Sequence, residues 1–244
     1  MNSKKKLIKN LFSIEKKNCI ITGGLGGIGF KIAKLMAHNK ANVIIIDRKK
    51  QNIKYKNIHC YQSDLLNKNK TKNLIDKIHT KFGKIDILIN ALGISDENSF
   101  INNINTNLIS VYNLTKIVID KMKTKGGSIV NFTSLNSELG FSNNPGYVSS
   151  KGALKMLTKS FAIDYAKYNI RVNNIGPGYI KTKMTKKRFQ NKKSRNLRLS
   201  RIPFGRYGNP EELFGAIVFL ISDGSKYITG QDFYVDGGFL AKGI

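Results

Sequence analysis

Cysteine is nearly missing from this chain: there are two among 244 residues, Cys19 and Cys60. Each sits inside an apolar stretch with the pattern of a strand, so they read as small core residues rather than a disulfide or a metal pair. Histidine is as scarce. His38, His59 and His79 lie apart without ligand spacing, which argues against a metal site. No apolar run approaches the length of a bilayer span. The opening stretch 1–17 is basic but has no sustained apolar segment and no small-residue cleavage site. No signal peptide is therefore expected, and the cytoplasm is the expected compartment. Acidic residues are the sharpest shortage: 15 Asp and Glu stand against 42 Lys and Arg, a formal charge of +27. A nucleic-acid or membrane-surface partner would explain such an excess. Here the positive charge is spread along the chain rather than confined to one stripe. Compositional bias is the favoured explanation, and neither partner is expected.

What remains is ample material for one α/β unit. The length suits a single domain over residues 1–244, and 41% hydrophobic residues can fill a core. Apolar strand-like runs at 19–22, 43–46, 58–61, 85–89, 128–132, 170–175 and 233–235 alternate with helical patterns. The helices are expected near 28–38, 70–82, 104–123, 147–168 and 210–220. Near-continuous apolar strands separated by helices predict a central parallel sheet of about seven strands with helices on both faces, a doubly wound fold.

After the first strand comes Thr22-Gly23-Gly24-Leu25-Gly26-Gly27-Ile28-Gly29. The glycines let the backbone turn tightly and approach a pyrophosphate, which then rests on the amides and the positive end of the next helix. The strand–turn–helix setting is the one a dinucleotide-binding Rossmann fold requires. Asp47 closes the second strand roughly 20 residues on, where a carboxylate binds both ribose hydroxyls and repels a 2′-phosphate. Arg48 beside it works the other way, since an arginine can accept that phosphate. The balance favours NAD(H) over NADP(H).

Tyr147 and Lys151 stand four residues apart on one predicted helix, so their side chains share a face. A phenol with an ordinary pKa of about 10 is a poor base at pH 7. A neighbouring ammonium favours the phenolate and brings it toward the working range. With Thr22–Gly29, Asn90-Ala91-Leu92-Gly93, Asn107, Ser134, Tyr147-Val148-Ser149-Ser150-Lys151, Pro177-Gly178 and Asp236-Gly237-Gly238, the chain resembles the classical short-chain dehydrogenase/reductase family over nearly its whole length.

The resemblance implies a hydride exchange between nicotinamide and a secondary alcohol or ketone. It makes Tyr147 the general acid/base and Lys151 the holder of the nicotinamide ribose. It makes Ser134 the hydrogen-bond partner of the substrate oxygen, and Asn107 the residue that keeps a proton-relay water. It further implies cofactor contacts at Gly23, Leu25, Gly26, Gly27, Ile28, Gly29, Asp47, Asp64, Leu65, Asn90, Ile180 and Thr182. One departure stands out: the family's usual N-N-A-G reads Asn90-Ala91-Leu92-Gly93 here, with two apolar residues in the middle.

Substrate choice is expected in a variable lid over about 183–203, which is dense in Lys and Arg and has no acidic residue before Glu211. An anionic small molecule fits that charge; a solvated helix face in a lysine-rich protein fits it equally. Leu11-Phe12-Ser13 resembles the opening of the sugar-acid members, which favours a sugar, polyol or sugar acid. The alternative is a 3-oxoacyl-[acyl-carrier-protein] reductase, for which Lys125 could dock the carrier while Tyr168 stands where a second basic residue is expected. A distant alternative is a non-catalytic nucleic-acid-binding relative. The family resemblance implies a homotetramer or homodimer built on the two long helices.

Overall fold

The computed structural model describes residues 11–183, 185–186 and 190–242. Seven strands form one sheet: β1 Asn18–Thr22, β2 Asn42–Asp47, β3 Ile58–Gln62, β4 Ile87–Asn90, β5 Gly127–Phe132, β6 Ile170–Pro177 and β7 Asp232–Val235. Their order is β3-β2-β1-β4-β5-β6-β7, and every pairing is parallel. This is the doubly wound arrangement the alternating pattern predicts.

Period-two alternation divides the apolar side chains between two layers. Ile21, Val43, Ile45, Ile89, Val130 and Ile175 face α1 (Gly27–His38) and α7 (Phe214–Ile221), meeting Ile32, Met36, Ile217 and Leu220. Ile20, Ile44, Leu88, Ile129 and Val172 face the opposite layer. That layer contains α2 (Lys68–Phe82), α4 (Ser110–Met122) and α5 (Pro145–Tyr165), with α3 (Phe100–Ile104) leading into α4. Fully burying one such side chain contributes about 1.5–3 kcal/mol, so both layers are needed to offset chain entropy. Cys19 lies in the buried core and Cys60 on β3; both are free thiols. No helix among the described residues is long and apolar enough to cross a membrane.

One transverse row of the sheet is polar. Thr22, Asn90, Asn131, Asn174 and Asp232 are register partners across β1, β4, β5, β6 and β7. Asn90 Nδ2 donates to Asn131 Oδ1 at 2.8 Å, and Asn131 Nδ2 donates to Thr158 Oγ1 of α5 at 2.8 Å. The Thr158 hydroxyl donates to Asn174 Oδ1 at 2.6 Å, and Asn174 Nδ2 to Asp232 Oδ1 at 2.7 Å. Buried amides of this kind are tolerable only when bonded, and these supply one another except at Asn90 Oδ1, which has no partner among the described residues.

Three of the expected helices differ from the sequence reading, the last of them, over 210–220, opening as a 3-10 turn, Pro210–Leu213, before α7. The helix expected over 104–123 begins earlier and is broken: α3 is followed by a π-helical turn, Asn105–Ile109, before α4. The helix expected over 147–168 begins at Pro145, where a ring without an N–H is accommodated, and ends at Tyr165 in a 3-10 turn, Ala166–Tyr168.

Candidate active site

Because all strands run the same way, their C-terminal ends share one edge of the sheet, and the sequence-derived residues gather there. At the nucleotide side, Gly23 has φ +63, and a Cβ on it would lie 2.8 Å from the Leu92 backbone. A Cβ on Gly29 would lie 2.5 Å from the Gly23 carbonyl oxygen. Neither position admits a side chain. Gly26 caps α1 without any side-chain bond, and the first turn holds no acidic residue. The amides and positive helix end are thus left for an anion. Gly27 faces Thr182, 3.2 Å from the position its own Cβ would take.

Asp47 receives the Leu25 amide at 3.1 Å and the Lys49 amide at 3.0 Å, which fixes its carboxylate beside the glycine turn. Asp47, Arg48, Asp64, Leu65 and Leu92 line one crevice. Asn90 behaves differently: its side chain turns into the core, donating to Thr115 and Asn131, while its carbonyl oxygen has no partner among the described residues. Only its backbone faces the strand end. Ile180 is also buried, bridged to Gly208, while Thr182 is held by Thr185. Ala91 and Leu92, the departures from the N-N-A-G pattern, pack against opposite core layers.

At the chemical side, Asn144 caps α5 by accepting the Tyr147 amide at 3.1 Å, fixing the first turn that carries the tyrosine. Lys151 follows one turn on. Its ammonium lies 5.8 Å from the Tyr147 ring centre and donates to the Phe132 carbonyl at 2.6 Å. Burial pushes its pKa down to about 8. Ser134 follows β5 and exchanges bonds with Asn136, its Oγ accepting from the amide at 3.2 Å and donating to Oδ1 at 3.1 Å.

Asn107 lies in the π turn. Its Oδ1 accepts the Ile94 amide at 2.8 Å, and its Nδ2 donates to the Ile94 carbonyl at 2.9 Å and Ser150 Oγ at 3.0 Å. Its side chain therefore anchors the loop after β4. Gly93 stands between the two polar groups: a Cβ there would be 3.4 Å from Lys151 Nζ and 3.6 Å from Asn107 Oδ1. Gly93 closes the Asn90-Ala91-Leu92-Gly93 motif of the sequence reading, which does not give its place between these groups; the Asn144 cap is no part of that reading, although Asn before Pro is a usable cap signal. The π turn has a fainter signal in the Asn-rich run 102–107, which is poor helix material.

The family model described as Enoyl-(Acyl carrier protein) reductase matches residues 23–240. The chain belongs to the short-chain dehydrogenase/reductase family. Among its relatives, the 3-oxoacyl-[acyl-carrier-protein] reductase FabG of Thermotoga maritima is 38% identical, over 93% of this chain and 99% of that protein. The 5-keto-D-gluconate 5-reductase of Escherichia coli K12 is 34% identical over 96% of this chain and 99% of its own. A crystal structure of gluconate 5-dehydrogenase from Burkholderia cenocepacia, in complex with NADP and tartrate, superimposes with a TM-score of 0.91. That match is at 29% identity and covers 97% of this chain and all of that one. This short-chain dehydrogenase/reductase is accordingly an oxidoreductase acting on CH–OH groups with a nicotinamide cofactor. The uncapped α1 terminus, the close-packed Gly23 and Gly29, and the Asp47 crevice fit such a dinucleotide.

The segment expected to form a lid in this short-chain dehydrogenase/reductase, about 183–203, is described except at 184 and 187–189, which lie outside the described residues. Its helix α6 (Lys192–Leu199) carries Arg198, whose guanidinium lies 5.5 Å from the Tyr179 ring centre. The Arg201 guanidinium lies 5.1 Å from that of Phe239. Tyr179 stacks on Tyr207 at 5.5 Å, and Leu199, Ile202, Tyr207 and Phe239 pack with Leu135, the residue after Ser134.

Proposed function

We propose that this enzyme exchanges a hydride between NAD(H) and the secondary alcohol or ketone of a sugar acid, or of a related sugar or polyol. The observation that carries the sugar-acid choice is the lid. Arg198 and Arg201 stack over Tyr179 and Phe239 of an aromatic cluster that also contains Leu135, the residue after Ser134, and positive charge on that cluster would suit an anionic substrate. Guanidinium groups suit a carboxylate because they bind it through two parallel hydrogen bonds. Relatives named for gluconate and ketogluconate chemistry support the same choice.

When bound, the cofactor supplies or receives the hydride. The chain's own residues do the rest. Ser134 donates to the substrate oxygen and favours the charge that develops there. Tyr147 delivers a proton to that oxygen in reduction and removes it in oxidation. The Lys151 ammonium beside the tyrosine ring favours the phenolate and holds the nicotinamide ribose. Asn107 supports the loop after β4 and, through its backbone in the π turn, a water that connects Lys151 to solvent. Gly23, Leu25, Gly26, Gly27, Ile28 and Gly29 hold the pyrophosphate. Asp47, Asp64, Leu65 and the Asn90 backbone hold the adenosine half, and Ile180 and Thr182 the carboxamide. Asp47 favours NAD(H), because a 2′-phosphate would meet its carboxylate.

A 3-oxoacyl-[acyl-carrier-protein] reductase is the second reading, favoured by the Thermotoga relative. We take residues 1–244 as one domain working in the cytoplasm, where both thiols stay reduced. It would assemble as a homotetramer through α4 and α5, on which Tyr112, Met156 and Ile163 are exposed.

The test is a fluorescence titration of NADH against NADPH, followed by an absorbance screen over sugar acids, sugars, polyols and 3-oxoacyl thioesters. Tighter NADH binding with turnover of a sugar acid is expected. Tighter NADPH binding with thioester reduction would put the carrier-protein reading in its place. Binding of random duplex DNA that persists at physiological salt and weakens as salt is raised further, without turnover, would instead favour a nucleic-acid-binding relative.

A further inference from the structure

The Ser134 hydroxyl bonds, among the described residues, only within its own turn, to Asn136. Its distance from Tyr147 must then be set by whatever holds that turn as a whole. The turn is held from behind. Ser137 Oγ donates to the Ser134 carbonyl at 2.6 Å and lies 3.0 Å from the Tyr234 hydroxyl. The Tyr234 hydroxyl donates to the Glu138 carboxylate, which also pairs with the Lys155 ammonium.

Lys155 stands one turn beyond Lys151 on α5, and its ammonium is 3.7 Å from Asp232 of β7. The turn carrying Ser134 and the helix carrying Tyr147 are thus tied together through Glu138 and Lys155, and both are tied to β7. The ring of Tyr234 lies over Gly176, its register partner in β6, where any Cβ would overlap it. Burial, reinforced by the Glu138 carboxylate, pushes the Tyr234 phenol up, so it remains a donor. The Glu138 and Lys155 side chains are only 30% and 19% exposed, which places the pair beyond the weak, fully solvated class of ion pairs.

We propose that Glu138, acting with Tyr234 and Lys155, is a positioning residue: it fixes the Ser134 turn against α5 so that Ser134 and Tyr147 reach the same substrate oxygen. The proposal rests on Ser134 being the group that holds that oxygen. Second rows of this kind decide whether a reacting group is held within the small tolerance that catalysis needs.

The experiment compares Glu138→Gln and Tyr234→Phe, each alone and combined with Ser134→Ala, using the substrate that the screen identifies. Each single variant should lower kcat about ten- to a hundredfold while leaving KM and NADH affinity within about twofold. Neither should lower kcat further in the Ser134→Ala background, because no hydroxyl is left to place. Tyr234→Phe keeps the ring over Gly176, so it remains informative if Glu138→Gln folds poorly. Amide hydrogen exchange at Asn136 and Ser137 should also quicken in Glu138→Gln while the β5 amides stay protected, a readout that needs no substrate. Unchanged kcat in both variants, an equal loss with Ser134 already removed, or unaltered exchange would overturn the proposal. Full turnover by Ser134→Ala alone would instead remove the assignment of Ser134 on which it rests.

Discussion

Burying the Lys151 ammonium works against folding. Lost hydration holds its pKa at about 8 in the folded chain, against 10.5 when exposed. The folded state therefore binds this proton less tightly than the unfolded one. The penalty is complete below pH 8 and fades as the pH rises toward 10.5, and a shift of that size corresponds to about 3 kcal/mol. Lys151→Met should raise the stability of the cofactor-free enzyme by about 2–3 kcal/mol at pH 7. The gain should shrink toward pH 10 in urea melts, while turnover is lost. Tyr147→Phe should behave in the opposite way: stability and NADH affinity unchanged, turnover lower by about 10²–10⁴. Wild-type turnover in that variant would remove the proton-transfer role. The pair was legible because four-residue spacing on a helix states proximity directly. The bonding of Asn107 was not, since Ile94 and Ser150 are brought to it by chain that is distant in sequence.

At the level of elements, the strands announced themselves through β-branched runs, and their number and parallel direction agree with the structure. Helix ends were less legible, because they depend on caps and on neighbouring packing rather than on periodicity. The Asn144 cap illustrates this. Its Oδ1 receives the Tyr147 amide, and its Nδ2 donates to Ser95 Oγ at 2.9 Å, so the start of α5 is tied to the loop after β4. Asn144→Ala should cost about 1 kcal/mol in thermal or urea unfolding. It should also lower kcat more than it raises KM, since the freed turn is the one that bears Tyr147. A variant with the full stability loss and no change in kcat would show that the cap serves the helix alone. The π turn was hidden for a related reason: an inserted residue shifts the helix phase without altering which side chains are apolar.

For the whole molecule the dominant quantity is its formal charge of +27. Charges of one sign repel in the compact state, and added salt screens them over about 10 Å at 0.1 M. The melting temperature should therefore rise by several degrees between low salt and about 0.3 M NaCl; a fall over that range would mean that attractive ion pairs outweigh the repulsion. The hydrophobic interior poses a different problem, one of alignment. The runs Cys19-Ile20-Ile21, Val43-Ile44-Ile45-Ile46 and Ile87-Leu88-Ile89 could slide past one another by two residues with every side chain still facing its own layer. The bonded polar row of Asn90, Asn131, Asn174 and Asp232 removes that freedom for β4, β5, β6 and β7, whereas β2 places the aliphatic Ile46 beside Thr22 and has no member in the row. After such a slip each amide would meet aliphatic neighbours and lose its partner, at about 1–3 kcal/mol apiece. Misaligned sheets are thereby penalised more than the correct one is favoured, and the buried amides serve as the mark by which otherwise interchangeable strands find their places.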